Sequence, residues 1–417
     1  MRILHVNKFL YRRGGAEGYM FDVAALQRAD GHEVAHFGMA HPQNEPMPYA
    51  EHFPSHLEFE PPPPDTAGKV RGMGRMIWSR SARRGIEAVL DDLRPDVVHL
   101  HNIYHQLSPS VLAPIRRRGI PAVMTLHDYK LACPTYRFLD HGRPCEACLA
   151  HRFWEPLRKR CNTGSLAASA VNAAELSLHT LSGAYAPVSV FACPSRFLEA
   201  KMRQGKVFPD RLRWIPNFVD VGGVPRAVEA GNGRVAYAGR LSDEKGVDTL
   251  VEAVAATPGL EVDIAGEGLI RPDLEALATE LGVADRVRFL GRLPLAAVQD
   301  LLRASSVAVC PSRWYENQPL AILEAFACGV PVVGTGLGGI PELIEPGVDG
   351  AIVPPNDPRA LGAALRDLTE RPDRAHALGA AGRAKVERAF SSGLHLERLW
   401  RLYDEARERI DGREVRR

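Results

Sequence analysis

Two glutamates eight positions apart, Glu316 and Glu324, stand in a stretch that reads SRWYENQPLAILEAFACGVPVVGTGLGGIPEL from Ser312 to Leu343. Paired carboxylates suggest acid–base work, but their surroundings suggest positioning. Pro319 suits the first position of a helix, where its missing N–H costs nothing. Asn317 and Gln318 precede it and can cap it. Leu320 to Cys328 continues apolar, and Gly329 is a stop signal. Glu316 therefore falls on a loop, and Glu324 falls one to two turns into a helix. A helix N-terminus attracts anions, phosphate above all. A carboxylate farther along cannot face that phosphate, but it can accept hydrogen bonds from sugar hydroxyls. The combination predicts a site for a nucleoside diphosphate carrying a sugar. A bare pair at this spacing is more often ordinary helix surface. Here Trp314, Tyr315 and a loop punctuated by Gly334, Gly336, Gly338 and Gly339 shift the balance.

Cations to match such a ligand occur in GRLSDEKG, where Gly239 and Arg240 end an apolar run and Lys245 follows five residues on. A fixed guanidinium and a mobile ammonium near one diphosphate would neutralise its charge as a glycosidic bond breaks. A solvated charged loop is the plainer alternative. Gly14 and Gly15 follow the first apolar run and precede a helical pattern, so backbone there can approach a phosphate or sugar closely. A simple turn explains them equally well. Glu267 lies between Gly266 and Gly268 in another such loop, where it can equally be a solvent-facing charge. His127 and, with less support, His101 end apolar runs and would face a ligand. A histidine satisfied in the core is the usual meaning of such a residue.

The chain contains no Asp-x-Asp, the motif that holds a divalent metal on the diphosphate in many single-domain sugar transferases. Neutralisation by side chains and a helix dipole is expected instead, with no cofactor required for catalysis. Cys133, Cys145, Cys148 and Cys161 could supply four thiolates to a structural zinc ion. Their spacing matches no standard zinc module, and reduced loop thiols remain an equal reading.

The elements that must hold these residues alternate between short apolar runs and helical patterns, the signature of parallel sheets covered by helices. In the first half, strands are expected at 2–7, 33–39, 96–102, 121–128 and 190–195, with a helix over 16–29. In the second half they are expected at 234–241, 260–265, 286–290, 306–310, 331–333 and 351–353. Ligands of open parallel sheets bind beyond the carboxyl ends of strands, where the polar residues named above fall. The boundary is expected within 216–230, and a final amphipathic helix over 394–409. Pro61 to Pro64 is a rigid loop element.

At 417 residues the chain is long enough for two domains. Hydrophobic residues make up 45% and charged residues 24%, as in soluble globular proteins, and no apolar run is long enough to span a bilayer. The N-terminus runs straight into a strand rather than a signal-peptide core, so a cytoplasmic protein is expected. Seven cysteines, an odd number, do not make a secreted disulfide framework. Net charge is only +2, but residues 1–217 carry 28 Lys and Arg against 20 Asp and Glu, and thirteen of the fifteen histidines. A basic first half suits a diphosphate-linked lipid or an anionic membrane. Nucleic acid is not expected, since no binding motif accompanies the charge. The run KVRGMGRMIWSRSARR, from Lys69 to Arg84, is basic with apolar members. It reads as a core-packing helix with a solvated face, or as a weak peripheral membrane contact.

The segment containing WYENQP and both glutamates resembles the donor-binding signature of the retaining glycosyltransferases of family 4. Its wording is similar to enzymes of bacterial exopolysaccharide synthesis. The resemblance implies the GT-B fold: two Rossmann-like α/β domains facing across a cleft. The domains would be an acceptor-side domain at 1–217 and a donor domain at 218–393, with a helix at 394–417 crossing back to the first. It implies that Arg240 and Lys245 hold the donor phosphates, that His127 contacts the donor sugar near its reacting carbon, and that Gly14–Gly15 lie against the diphosphate and the acceptor. Glu316 would orient sugar hydroxyls and Glu324 would bind the ribose, with Gly239, Glu267, Asn317, Gln318, Pro319 and Leu320 lining the donor site. The expected activity is retaining transfer of a hexose from a nucleotide diphosphate sugar to a lipid-linked or saccharide acceptor. A GT-B-type sugar-nucleotide epimerase and a non-catalytic nucleotide-sugar-binding subunit are the alternatives. A nicotinamide dehydrogenase is disfavoured, because the first strand is not followed by G-x-G-x-x-G.

Overall fold

The computed structural model describes residues 1–59, 65–162, 164–225 and 231–414. The Pro61–Pro64 element and the last part of the expected 216–230 boundary lie outside the described residues. The chain divides into two compact units. One comprises Met1–Phe138, Glu146–Ile215 and Leu396–Arg417; the other comprises Leu139–Cys145 and Pro216–His395.

The first unit holds a six-stranded parallel sheet. Its strands are β1 (Arg2–Val6), β2 (Glu33–Phe37), β3 (Val97–Leu100) and β4 (Ala122–Thr125). Beyond a two-stranded antiparallel hairpin, β5 (Leu139–Asp140) and β6 (Arg143–Pro144), the sheet adds β7 (Val190–Cys193) and β8 (Leu212–Trp214). The order is β2-β1-β3-β4-β7-β8. Strands β3, β4 and β7 are buried along their whole length, as expected for a sheet covered on both faces. Five of the six strands were legible in the sequence, each ending one to three residues earlier than the apolar run suggests. The sixth, β8, is three residues long and carries an arginine, too little for a period-2 signal. It is fixed by pairing Phe191 with Leu212 and Cys193 with Trp214.

The second unit repeats the design with β9 (Val235–Ala238), β10 (Val262–Ala265), β11 (Val287–Gly291), β12 (Val307–Cys310), β13 (Val332–Thr335) and β14 (Gly350–Val353), in the order β11-β10-β9-β12-β13-β14. Aliphatic side chains pack on both faces. Val235, Val262, Val307 and Val333 meet the helix Val247–Ala256 and its neighbours on one side. Ala236, Ala308 and Val332 meet Ile322, Leu323 and Phe326 on the other.

The last helix, Ser392–Glu414, belongs to the first unit from Leu396 onward. Leu399, Leu402, Tyr403 and Ala406 are all buried, the i, i+3, i+4, i+7 stripe of an amphipathic helix. Arg213 on β8 makes a bidentate pair with Glu405, at 2.8 and 2.5 Å. The basic segment expected as one helix is two, Thr66–Ile77 and Arg80–Leu93. The break falls at Ser79, whose hydroxyl accepts from the Ala82 N–H as an N-cap. Met76 is buried, whereas Val70, Met73, Ile77 and Trp78 are exposed. No described helix is long and apolar enough to cross a membrane.

Candidate active site

In the second unit the polar residues gather where parallel strands end. β9 stops at Ala238 and hands the chain to Gly239 and Arg240; β12 stops at Cys310 and leads through Ser312 to Glu316. Lys245 Nζ lies 2.7 Å from Glu316 Oε1, and the Ser312 hydroxyl donates to the same oxygen at 2.6 Å. Glu316 is buried. Burial opposes its ionisation, but the Lys245 ammonium and the hydrogen bonds outweigh that, holding its carboxyl below the usual range. The glycine loop is pinned beneath it: Gly339 N–H donates to Glu316 O at 2.7 Å. Gly338 has φ +62°, and a Cβ there would sit 2.3 Å from Glu316 O, so only glycine lets the loop come so close. Similarly, a Cβ on Gly266 would lie 1.8 Å from Gly239 O, which brings the loops after β9 and β10 into backbone contact.

The side chains differ from expectation in their rigidity. Arg240, expected to be the fixed cation, is 65% exposed and held by Glu244 at 2.7 Å and Ser242 at 3.2 Å. Lys245, expected to be mobile, is only 22% exposed and clamped to Glu316, with its ammonium 5.4 Å from the Trp314 ring centre. An ammonium carries three donors, so Lys245 can hold Glu316 and still reach an anion. The helix start is also corrected. The helix runs Leu320–Ala327 with Pro319 as its N-cap, and no side chain caps it. Gln318 turns away, and its Oε1 accepts from Asn217 N–H at 2.5 Å. Glu324 is half-buried on that helix; Glu267 is exposed and paired with Arg271. Ser312 and Glu244, missed in the sequence, stand four residues from Glu316 and Arg240. Neither pair lies on an α-helix, so spacing along the chain carries no contact signal.

In the first unit, Gly14 is the N-cap of the helix Gly15–Ala29. His127 follows β4 and lines a small pocket with Asn102, Tyr104, Asp128 and Lys130. Behind it stands a row of histidines. His36, His5 and His99 are side-by-side partners across β2, β1 and β3, and His101 lies just beyond β3. His5 Nδ1 is 2.9 Å from His101 Nε2, and His101 Nδ1 is 3.0 Å from His127 Nε2. Burial keeps the rings neutral: His5 is lowered to about 4, His127 to about 3, and His101 well below its ordinary value. The period-2 spacing of His99 and His101 was the readable hint. Beside the pocket, Lys130 Nζ bonds Glu175 at 2.7 Å, and His105 lies 3.2 Å from the same oxygen. Burial pushes the Asp128 carboxyl up to about 6, against Lys8 and Lys130.

Among the first unit's cysteines, a hydrogen bond with Cys148 draws the Cys133 thiol down to about 6 against the effect of burial. The sulfurs of Cys133, Cys148 and Cys161 do not all lie within 4.8 Å of one another, the separation expected of three ligands on one ion.

Comparison with known proteins places both units. Residues 13–222 match Glycosyltransferase Family 4, and residues 227–385 match Glycosyl transferases group 1. A D-inositol 3-phosphate glycosyltransferase of Thermobispora bispora is 36% identical over 187 residues, 42% of this chain and 43% of that one; the match spans less than half of that relative's length. Sucrose-phosphate synthase from Thermosynechococcus elongatus has the same fold, with TM-score 0.72 and 21% identity over 97% of this chain and 98% of that one. Anabaena HepE, solved in complex with UDP and glucose, follows at TM-score 0.66 and 20% identity, covering 96% and 98%. With a family match over half its length and two Rossmann-like sheets of the GT-B type, the chain belongs to glycosyltransferase family 4.

Proposed function

We propose that the protein is a retaining, metal-independent hexosyltransferase. It would take a sugar from a nucleotide diphosphate donor and pass it to a lipid-linked or saccharide acceptor, as in surface polysaccharide synthesis. The observation that carries this reading is the Lys245–Glu316 pair at 2.7 Å, set at the strand ends with Arg240 and the start of the helix Leu320–Ala327. Lys245 and Arg240 stabilise negative charge on the departing diphosphate, and the helix N-terminus adds its dipole. Glu316, held ionised, orients both Lys245 and a sugar hydroxyl. Glu324 accepts from the ribose. His127 meets a sugar hydroxyl, and the leaving phosphate takes the acceptor's proton. With charge neutralised by side chains, no divalent ion is needed.

The exposed Val70, Met73, Ile77 and Trp78, interleaved with arginines, support a weak contact with anionic lipid where a lipid-linked acceptor resides. A transfer assay in EDTA, with acceptor supplied in anionic vesicles, tests the whole reading. It should give product of retained anomeric configuration at an unchanged rate, and the protein should float with the vesicles at low salt. An inverted product or complete dependence on added metal would contradict the mechanism, and failure to float would remove the lipid contact.

A further inference from the structure

The buried histidines of the first unit form a directed chain, and one residue sets its direction. Gln27 is fully buried on the helix Gly15–Ala29. Its amide oxygen lies 2.7 Å from His5 Nε2, and its amide nitrogen donates to the Tyr403 hydroxyl at 3.0 Å. An amide oxygen only accepts, so His5 must carry its proton on Nε2 and offer Nδ1 as an acceptor. His101 Nε2 then donates to His5 Nδ1, leaving His101 Nδ1 to accept. His127 Nε2 donates to that in turn. Each neutral ring has one donor and one acceptor, so the pattern passes without loss from Gln27 to His127. At the other branch, the Tyr403 hydroxyl accepts from Gln27 and donates to His99 Nδ1 at 2.8 Å, and His99 Nε2 donates to Thr125 at 2.8 Å.

Two other readings fit less well. Nitrogens of His5, His99 and His101 lie within 4.8 Å of one another, as ligands of a metal ion would. Yet all six ring nitrogens are already committed to the partners just named. A proton-conducting chain would need an exit, whereas this one ends at the amide of Gln27, with Gln27, His5 and His101 all at 0% exposure. What remains is a lock on ring state. Reversing it would require the Gln27 amide, the Tyr403 hydroxyl and every ring to turn over together.

We propose that Gln27 is a positioning residue which, through His5 and His101, places the proton of His127 on Nε2 and leaves Nδ1 as an acceptor for a sugar hydroxyl in the pocket. The functional half rests on the reading that His127 touches the sugar. Tyr403 ties the last helix into the same device, which accounts for a polar pair buried at the centre of that packing.

Two-bond ¹H–¹⁵N spectra of the full chain labelled at histidine, with His127 assigned by His127→Gln, test the lock. The wild-type ring should show a single form protonated on Nε2. Gln27→Leu should give a mixture of forms and lower kcat about tenfold, the scale of one lost hydrogen bond at the His127 Nδ1, with donor KM within about twofold. Gln27→Glu, which still offers an accepting oxygen, should restore the single form and most of kcat. A wild-type His127 protonated on Nδ1 would overturn the proposal, and needs no variant to fold. So would a Gln27→Leu protein that matches wild type in both spectrum and turnover. His127→Ala with undiminished turnover would instead remove the sugar contact while the spectra still report the lock, so the two failures are distinguishable.

Discussion

Lys245→Ala is expected to lower turnover by about a hundredfold or more, the scale of losing one preorganised partner of a developing negative charge. The structure adds a second consequence. Glu316 is buried, with the Lys245 ammonium at 2.7 Å and the Ser312 hydroxyl at 2.6 Å from one carboxylate oxygen. Removing the ammonium takes the counter-charge away from a buried carboxylate, and stability should fall as well. The double variant Lys245→Ala/Glu316→Gln isolates the stability effect: stability should recover, because no uncompensated charge remains, while turnover stays low because both residues meet the donor. Turnover that recovers together with stability would assign Lys245 a structural role. Arg240→Ala should cost turnover without the stability loss, since its guanidinium is 65% exposed and its surface pairing contributes little.

A steep loss of stability below neutral pH is the other large effect, and it should begin in the first unit. Burial lowers His5 and His105 to about 4 and His127 to about 3, with His36 and His101 well below the ordinary value. In the unfolded chain each titrates near 6.5. Between 6.5 and about 4 the unfolded state therefore binds protons that the folded state refuses, and stability falls as pH falls. The slope is about 1.4 kcal/mol per pH unit for each histidine. Asp128, raised to about 6 by burial, works in the opposite sense between 6 and its ordinary value and offsets one histidine. Glu175 is held low by His105 and Lys130 against burial, so it adds a further loss once pH drops below the ordinary carboxyl range. Several uncompensated histidines could consume a stability of ordinary size, about 5–15 kcal/mol, within two pH units. Thermal unfolding followed from pH 8 to pH 4.5 should show a midpoint that is level at first and then drops sharply below about 6.5. A level midpoint down to pH 5 would mean that these rings are charged or solvated in the native state.

The sheets were legible because buried parallel strands are written as short aliphatic runs between helical patterns. All six strands of the second unit lie within or beside the runs named from sequence. β8 escaped because its pairing with β7, not its own three residues, makes it a strand. The second unit's polar residues were legible as types at strand ends, but not as partners. Nothing in sequence order says that Lys245 would meet Glu316 across 71 positions, and the family resemblance implies roles for the two at different parts of the ligand. Gln318 was read as a helix cap, but the stronger claim on it comes from Asn217 N–H, 101 positions away. The histidine chain was least visible. His5, His101 and His127 come from three strand ends and Gln27 from a helix, and only the strand register stacks them.

The proposed donor site of the second unit holds a nucleoside diphosphate sugar through Lys245 and Glu324. Thermal shift with UDP-, GDP- and ADP-sugars across a concentration series tests it most directly, because a ligand of the folded state raises the midpoint according to concentration over Kd. At least one donor should stabilise the wild-type chain in a concentration-dependent way, with the shift much reduced in Glu324→Ala and in Lys245→Ala. No shift with any of the three, or equal shifts in both variants, would contradict the account.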